Sequence, residues 1–545
     1  MRSLPRLLRT LWYVPPLALL WRVRTRLLQR YYATPFYNLR ALQGEPGALP
    51  LVYTGVSVVP GNRTVGEALA VGRWWLAGQE HTLGMPPRTW LPKVQPLQLF
   101  ELHYHEWLAD LAAAHRPDAA RQLLASWLLQ FAHYHPTVWH PYPLSLRVVS
   151  WLTHGRWLLA EAEPDFREAF EAALRAQLRH LRRNCEWDLG GNHLIKNLKA
   201  LLLGGLAVQD GALALWAESQ LQRALTHQIL PDGAHDERSP HYHAQVLQDV
   251  LEVRAALRNA GGGGGVWDTW AAQLGAALAF YTYPDGGLGL WNDGHVGDPA
   301  RLALLVRESG ATTVPSLLPA AGYARAEQGP FGLVLDAGLV GPDENPGHAH
   351  ADTLAFELWH GTQRVVVNGG TLAYQHRLRG YFRSTAAHST VELQGQNSAE
   401  VWAEHRVGRR PRRLALQCEE TSGATTLRAS HDGYRAHGIT SHQRVLTLGA
   451  TALRGEETLT GPQVGEVRAW ARFHLHPAVR VQQTTEQQAI LTLPDGTRLA
   501  FACEGGRLTV QPSRYAPQFN QLQETHQLAV RLSLPTLQWT LAVLA

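Results

Sequence analysis

The chain has 545 residues, more than one hydrophobic core usually supports, so two domains or more are expected. With 45% hydrophobic and 17% charged residues, it is neither disordered, collagen-like nor a coiled coil. Its net charge of +5 comes almost wholly from arginine and includes no basic run of the kind that grips nucleic acid, while Cys185, Cys418 and Cys503 are too few and too far apart for a disulfide framework or a CxxC zinc site.

Near the N-terminus, Arg2, Arg6 and Arg9 precede an apolar stretch at 11–21 that resembles the core of a signal peptide. That stretch contains Pro15 and Pro16, runs directly into Arg22, Arg24 and Arg26, and shows no small-x-small cleavage site. It is also too short to span a bilayer. Residues 1–90 are therefore expected to be a basic N-terminal segment and lead-in, amphipathic enough to touch a membrane surface.

Apolar residues then recur at helical spacing. The segments 100–114, 119–133, 144–160, 166–181, 193–208, 212–229, 239–260 and 266–281 each read as a helix, separated by short Pro, Gly or Asp turns. Successive helices with short connections pair as antiparallel hairpins, which predicts an (α/α) helical toroid over 91–310. Glycines at 261–265 make a flexible joint between the last two. Further on the pattern changes to short β-branched or alternating runs, at 331–336, 353–359, 364–368, 444–448 and 489–493. These predict an antiparallel β-sandwich over 325–545, with the boundary within 309–319.

Polar groups gather in three places. Trp187-Asp-Leu-Gly-Gly-Asn-His193 leads into a helix, and its two glycines put Asn192 near the N-cap, where a short polar side chain is at home. The run 231–243 holds His235, Asp236, Glu237, Arg238, His241, Tyr242 and His243, more ionisable groups than a turn needs. The third, Pro346-Gly-His-Ala-His-Ala-Asp352, reads as the opening of a strand with His348, His350 and Asp352 on one face. That pattern suits a metal or a general base. It is similar to the HxHxDH of metal-dependent hydrolases, but Thr353 stands where the last His is required, and that assignment is rejected. Asn368-Gly-Gly-Thr-Leu-Ala-Tyr374 and Phe382-Arg-Ser-Thr-Ala-Ala-His388 follow, and His388 could join His350 at one ion.

In this order, Gly-Gly-Asn192-His193-Leu-Ile-Lys-Asn, Glu237-Arg-Ser-Pro-His-Tyr242-His, Gly-His348-Ala-His350-Ala-Asp and Phe-Arg383-Ser-Thr-Ala-Ala-His388 resemble the heparinase II/III family. These are polysaccharide lyases, alginate lyase-like relatives included. The resemblance runs over about residues 95–480 and implies a helical toroid followed by a β-sandwich. The reaction it implies is β-elimination on an anionic glycan that contains uronic acid. Asn192 matches the group that neutralises the uronate carboxylate, with His193 beside it as a candidate base. Tyr242 matches the catalytic tyrosine, acid and in some geometries base, and His348 the histidine facing the same site. Arg147, in Trp139-His-Pro-Tyr-Pro-Leu-Ser-Leu-Arg147, is an implied substrate contact, as are Tyr374 and Arg383. A structural zinc or calcium ion would fall to His350, Asn368 and His388, with Asn368 replacing an Asp and weakening the site. The family implies a cell-envelope or periplasmic location; the lack of a cleavage site argues for the cytoplasm.

Two other readings stay open. A glycoside hydrolase on a helical toroid needs two opposed carboxyl groups, whereas Asp232, Asp236 and Glu237 crowd one turn. A non-catalytic glycan-binding protein associated with exopolysaccharide biosynthesis would keep the fold, but has no need of Asn192, His193, Tyr242 and His348 together.

Overall fold

The computed structural model describes residues 3–41, 50–53, 55–533 and 535–544, so Arg2 lies outside the described residues. By packing, the chain forms two compact units. One comprises Val14–Gln228 and Gln245–Ala271; the other comprises Met1–Tyr13, Ile229–Ala244 and Ala272–Ala545.

The first unit is helical. Pro117–Phe131, Pro141–Leu159 and Pro164–Arg183 each begin on a proline, whose missing N–H costs nothing in a first turn. Pro117–Phe131 buries Ala120, Leu123, Leu124, Trp127, Leu128 and Phe131, the stripe of a helix with one face in a core. Gly191–Ala207 buries nearly all of its length. Two of the chain's three lysines sit on it. Lys196 and Lys199 reach Asp249 at 2.8 Å, and Lys199 also pairs with Glu252. Burial disfavours the Lys199 ammonium, but Asp249 and Glu252 outweigh it and hold the charge.

The single helix expected over 100–114 is two, Pro96–Leu102 and Trp107–Ala113. The break falls at His103–His105, and His105 takes φ +56°. Both imidazoles are buried there as acceptors: Trp127 Nε1 donates to His103 Nδ1 at 3.1 Å and Trp151 Nε1 to His105 Nδ1 at 2.9 Å. Helical periodicity cannot reveal such a break, because its cause lies on two other helices.

The second unit is an antiparallel β-sandwich. One sheet runs Leu414–Glu420, Ala424–His431, Ser441–Gly449, Ala452–Thr460, Thr536–Val543, Arg498–Glu504, Gln488–Thr492 and Arg480–Gln483. The other runs Gly506–Gln518, Gln521–Leu532, Ala469–Leu475, Gln363–Val367, Phe356–His360, Phe331–Asp336, Tyr323–Gln328 and Leu317–Leu318, with Val391–Leu393 paired to Ala469–Leu475. Alternation along the strands sends one set of side chains inward, as in Ser441–Gly449, where every second residue is buried. Phe356 and Trp539, from opposite sheets, stack at 5.7 Å in the shared core. Trp359 and Trp539 lie over Gly332 and Gly455, where a Cβ would come within 2.1 and 2.0 Å of the indole. Only glycine fits beneath them. Within the first sheet, Arg444 forms a buried ion pair with Glu457 on the neighbouring strand at 2.8 Å, and it also donates to the carbonyls of Leu354 and Ser389, fastening the loops that precede the other sheet's strands at Phe356 and Val391.

A pH prediction follows for the helical unit. Burial pushes His103 and His180 down to about 3 and His105 well below its usual range, so all three fold uncharged. The unfolded chain binds protons there from about pH 6.5 downward, so each histidine costs about 1.4 kcal/mol per pH unit on acidification. Glu101, pushed up to about 7 by burial, acts in the opposite sense. His103→Asn keeps an acceptor for Trp127 and removes one titrating ring. In urea denaturation below about pH 6, the slope of stability against pH should fall by about 1.4 kcal/mol per unit relative to the parent. An unchanged slope would contradict the assignment.

Candidate active site

In the sandwich-bearing unit, the segment 229–239 is tied down before it delivers Tyr242. Ile229 bridges to His235, and Asp232 accepts from the backbone N–H of Ala320 at 2.7 Å and of Ala321 at 2.8 Å. Arg238, at φ +53°, donates to the Ala321 carbonyl at 3.1 Å, and Ser239 Oγ to the Asp293 carbonyl at 2.9 Å. Much of the ionisable density in this run is therefore structural. Pro240 opens the helix Pro240–Asn259, and Tyr242 sits on its first turn. Its ring packs on that of His348 at 3.9 Å, and its hydroxyl pairs with the hydroxyl of Tyr374. Burial holds the Tyr374 phenol well above its ordinary range, so it stays protonated.

His348, His350 and Asp352 do not share a strand face, as their alternation predicts. They lie in irregular backbone, and the strand begins only at Phe356. What organises them is Asn292-Asp293. Asn292 Oδ1 accepts from the His350 N–H at 2.8 Å, the Asn292 N–H donates to Asp352 at 3.2 Å, and the Asp293 N–H donates to the His348 carbonyl at 3.0 Å. The Asp293 carboxylate then gathers four side chains. His348 Nδ1 lies 3.0 Å away, His350 Nε2 2.9 Å and Thr371 Oγ1 3.0 Å, and Arg379 grips both oxygens. Burial would raise this carboxyl; Arg379 and the two imidazoles outweigh it and hold Asp293 well below the usual range. Arg379 also lies over the Tyr374 ring at 5.1 Å. Held at Nδ1, His348 keeps Nε2 toward Glu237, 3.9 Å off.

In the helical unit, Gly190 and Gly191 take φ +62° and +53°, a turn that residues with a Cβ rarely make. Gly190 is the N-cap, so Asn192 is the second residue of the helix rather than its cap, and its side chain is buried. His193 follows on the same turn. Its Nδ1 meets Glu186 at 2.9 Å, and Tyr142 packs on its ring at 4.2 Å. Burial would raise Glu186, but His193 and the Asn197 amide outweigh it and keep it charged. Asn197 in turn accepts from the Glu186 N–H at 2.8 Å. Each unit thus carries a histidine oriented at Nδ1 by a buried carboxylate.

Residues 90–309 match Heparinase II/III N-terminus, and residues 311–540 match Heparinase II/III-like, C-terminal. The chain belongs to the heparinase II/III family of polysaccharide lyases. A solved heparinase III superposes with a TM-score of 0.72 at 17% identity, over 95% of this chain and 89% of that one. The chondroitin AC lyase of Streptomyces coelicolor A3, solved with chondroitin sulphate, gives 0.52 at 14% identity, over 96% and 83%. The fold is theirs, a helical toroid followed by a β-sandwich. The FtsZ-localized protein C of Caulobacter vibrioides is 27% identical over 419 residues, 72% of this chain and 71% of that protein.

Two substrate contacts expected from the family resemblance are core residues instead. Arg147 is fully buried and donates to Gln177 at 2.7 Å and to the carbonyls of His103 and Val138 at 2.9 and 3.0 Å. Arg383, 2% exposed, is spent on the carbonyl of Ala349, next to His348, and on that of Glu404. Tyr374 lies in the cluster, with its hydroxyl against that of Tyr242. Nothing in the sequence singles out Asp293, Arg379 or Glu186. Asp293 sits in Trp291-Asn-Asp-Gly-His295, which reads as a polar turn, and its partners are 55 to 86 positions away.

The trio His350, Asn368 and His388 is brought together, and its polar atoms are turned on one another and on nearby backbone. Asn368 Oδ1 accepts from the Ser389 N–H at 3.0 Å, while its amide nitrogen is buried without a partner. His350 Nδ1 and His388 Nε2 face each other at 3.2 Å, and His388 Nδ1 meets the Ser384 carbonyl at 2.8 Å. Among the described residues no group of three His, Cys, Asp or Glu is placed to hold an ion. Burial lowers both imidazoles, yet Asp293, Ser384 and the contact between the rings together ask for three N–H protons from two rings. Elemental analysis after exposure to zinc and desalting should then find far less than one metal per chain, and a chelator should leave the melting temperature unchanged. A stoichiometric metal whose removal lowers the melting temperature would contradict this.

Proposed function

We propose that the protein cleaves an anionic, uronate-containing polysaccharide by β-elimination, with Tyr242 as the proton-transfer group. The observation that carries the proposal is the Tyr242 hydroxyl bonded to Tyr374, with His348 stacked on its ring and oriented by Asp293. Either hydroxyl could donate in that pair, and Tyr374, kept protonated by burial, has a proton to give. A hydrogen bond from it favours the phenolate of Tyr242. The positive Arg379 over the Tyr374 ring works in the same direction.

The chemistry asks for little else. The C5 proton of a uronate is weakly acidic, and its removal builds charge onto the neighbouring carboxylate. Asn192, by amide hydrogen bonding at a helix N-terminus, is assigned to neutralising that charge as it grows. Tyr242 takes the C5 proton, the C–H electrons form the C4–C5 double bond, the C4–O4 bond breaks, and the proton passes from Tyr242 to the departing O4. One residue serves as base and then acid, and the proton count closes. His193, held at Nδ1 by Glu186, is the alternative base. His348 stays a positioning group for the Tyr242 ring. Glycosaminoglycans head the candidate substrates, because the solved structures similar to this chain are of heparinase and chondroitin lyase.

The test is ultraviolet absorbance of the conjugated 4,5-unsaturated uronate when the full chain meets heparin, heparan sulfate, hyaluronan, chondroitin sulfate, alginate and bacterial capsular glycans. A rise on one of them is expected, and Tyr242→Phe should slow it by about 10²–10⁴-fold without loss of fold. Glycan shortening without the absorbance, or full activity in Tyr242→Phe, would overturn the proposal.

A further inference from the structure

Residues 1–44 contain eight arginines and no Asp or Glu, in a chain whose total net charge is only +5. The same region concentrates exposed apolar surface. Eleven of the twenty-three exposed large hydrophobic side chains among the described residues fall within 4–36. A soluble surface scatters such residues singly.

Each of the first two helices here is already docked by one face and still shows an apolar one. Ser3–Leu11 is held to the sandwich unit by its basic side: Arg6 and Arg9 pair with Glu400 at 3.3 and 2.6 Å, and Trp402 donates to Thr10 at 3.1 Å. Tyr13, just beyond, lies under Arg410 and Arg412 at 4.3 and 4.6 Å. Leu4 and Leu8 are left 60% exposed, and Trp12 83%. Pro16–Tyr32 docks within the helical unit through buried Tyr32, the Trp21–Trp187 ring contact at 6.1 Å, and Arg24, which donates to the Arg183 carbonyl at 3.1 Å. On its other side Leu17, Leu20, Val23, Leu27 and Tyr31 recur at helical spacing, each about half exposed or more. Arg26 and Arg30 border that stripe and are exposed. No helix among the described residues is long and apolar enough to cross a membrane.

An apolar stripe edged by arginine, on a helix that already has its protein contacts, fits one occupant well. We propose that the exposed face of Pro16–Tyr32 is an interfacial anchor for an anionic lipid bilayer. The leucines enter the boundary between headgroup and acyl chain, and the arginines meet lipid phosphates. The inference stands apart from the catalytic reading, since none of these residues belongs to the candidate active site.

Flotation of the full chain with vesicles tests it. The protein should float with vesicles of equal parts phosphatidylglycerol and phosphatidylcholine, weakly with phosphatidylcholine alone, and less as salt is raised. The double variant Arg26→Gln, Arg30→Gln should bind the anionic vesicles about thirtyfold less tightly. The triple variant Leu17→Ser, Leu20→Ser, Leu27→Ser should lose about a hundredfold or more. Both should melt with the parent, because the changed side chains are exposed. Absence of flotation, or unaltered flotation in both variants, overturns the proposal. So does a dimer in light scattering that the leucine variant dissociates without any vesicle binding, since the stripe would then face a second copy.

Discussion

A single buried carboxylate organises the cluster around Tyr242 in the sandwich-bearing unit. Asp293 holds His348 by its Nδ1, braces His350, accepts from Thr371 and is clasped by Arg379. A lone charge at that depth would be untenable, and it survives because every donor around it is cationic or aimed at it. The loop at 346–355, the segment after Asn368 and the short helix Arg379–Phe382 all converge on it. The ring of His348, and with it the packing partner of Tyr242, takes its orientation from Asp293.

The same device recurs in the helical unit on a smaller scale. Glu186 orients His193, and Asn197 fixes Glu186 through its side chain and its backbone N–H. The helix that carries this group is anchored further along by Lys196 and Lys199 on Asp249 and Glu252. Elsewhere the chain uses arginine for nearly all of its cations. In these fully packed positions a compact ammonium on a slender stem fits where a planar guanidinium would need a wider slot.

The helical half and the β half were legible because both depend on local periodicity, which a sequence carries openly. Tyr242, His348, Asn192 and His193 were legible only as four motifs in a fixed order. Residues whose meaning lies in distant partners were hidden. Asp293 reads as part of a turn, Arg379 as one arginine among many, and Glu186 as an ordinary residue before a Trp. Arg147 and Arg383 misled for the complementary reason: an arginine beside a motif reads as a ligand contact, but both spend their donors on buried carbonyls. The strand expected at His348 failed because side-chain bonds to Asn292 and Asp293, rather than a ladder, set that backbone.

Elimination and hydrolysis differ in the fate of one water molecule, and this distinction is the most direct test of the account. Digestion of a cleaved glycan in heavy-oxygen water, followed by mass spectrometry of the fragments, reads it without reliance on any variant. Fragments whose masses sum to that of the parent, with no solvent oxygen incorporated, are what proton transfer through Tyr242 predicts. Fragments heavier in sum by one water, carrying the label at the new end, would contradict it and assign the fold to a hydrolase.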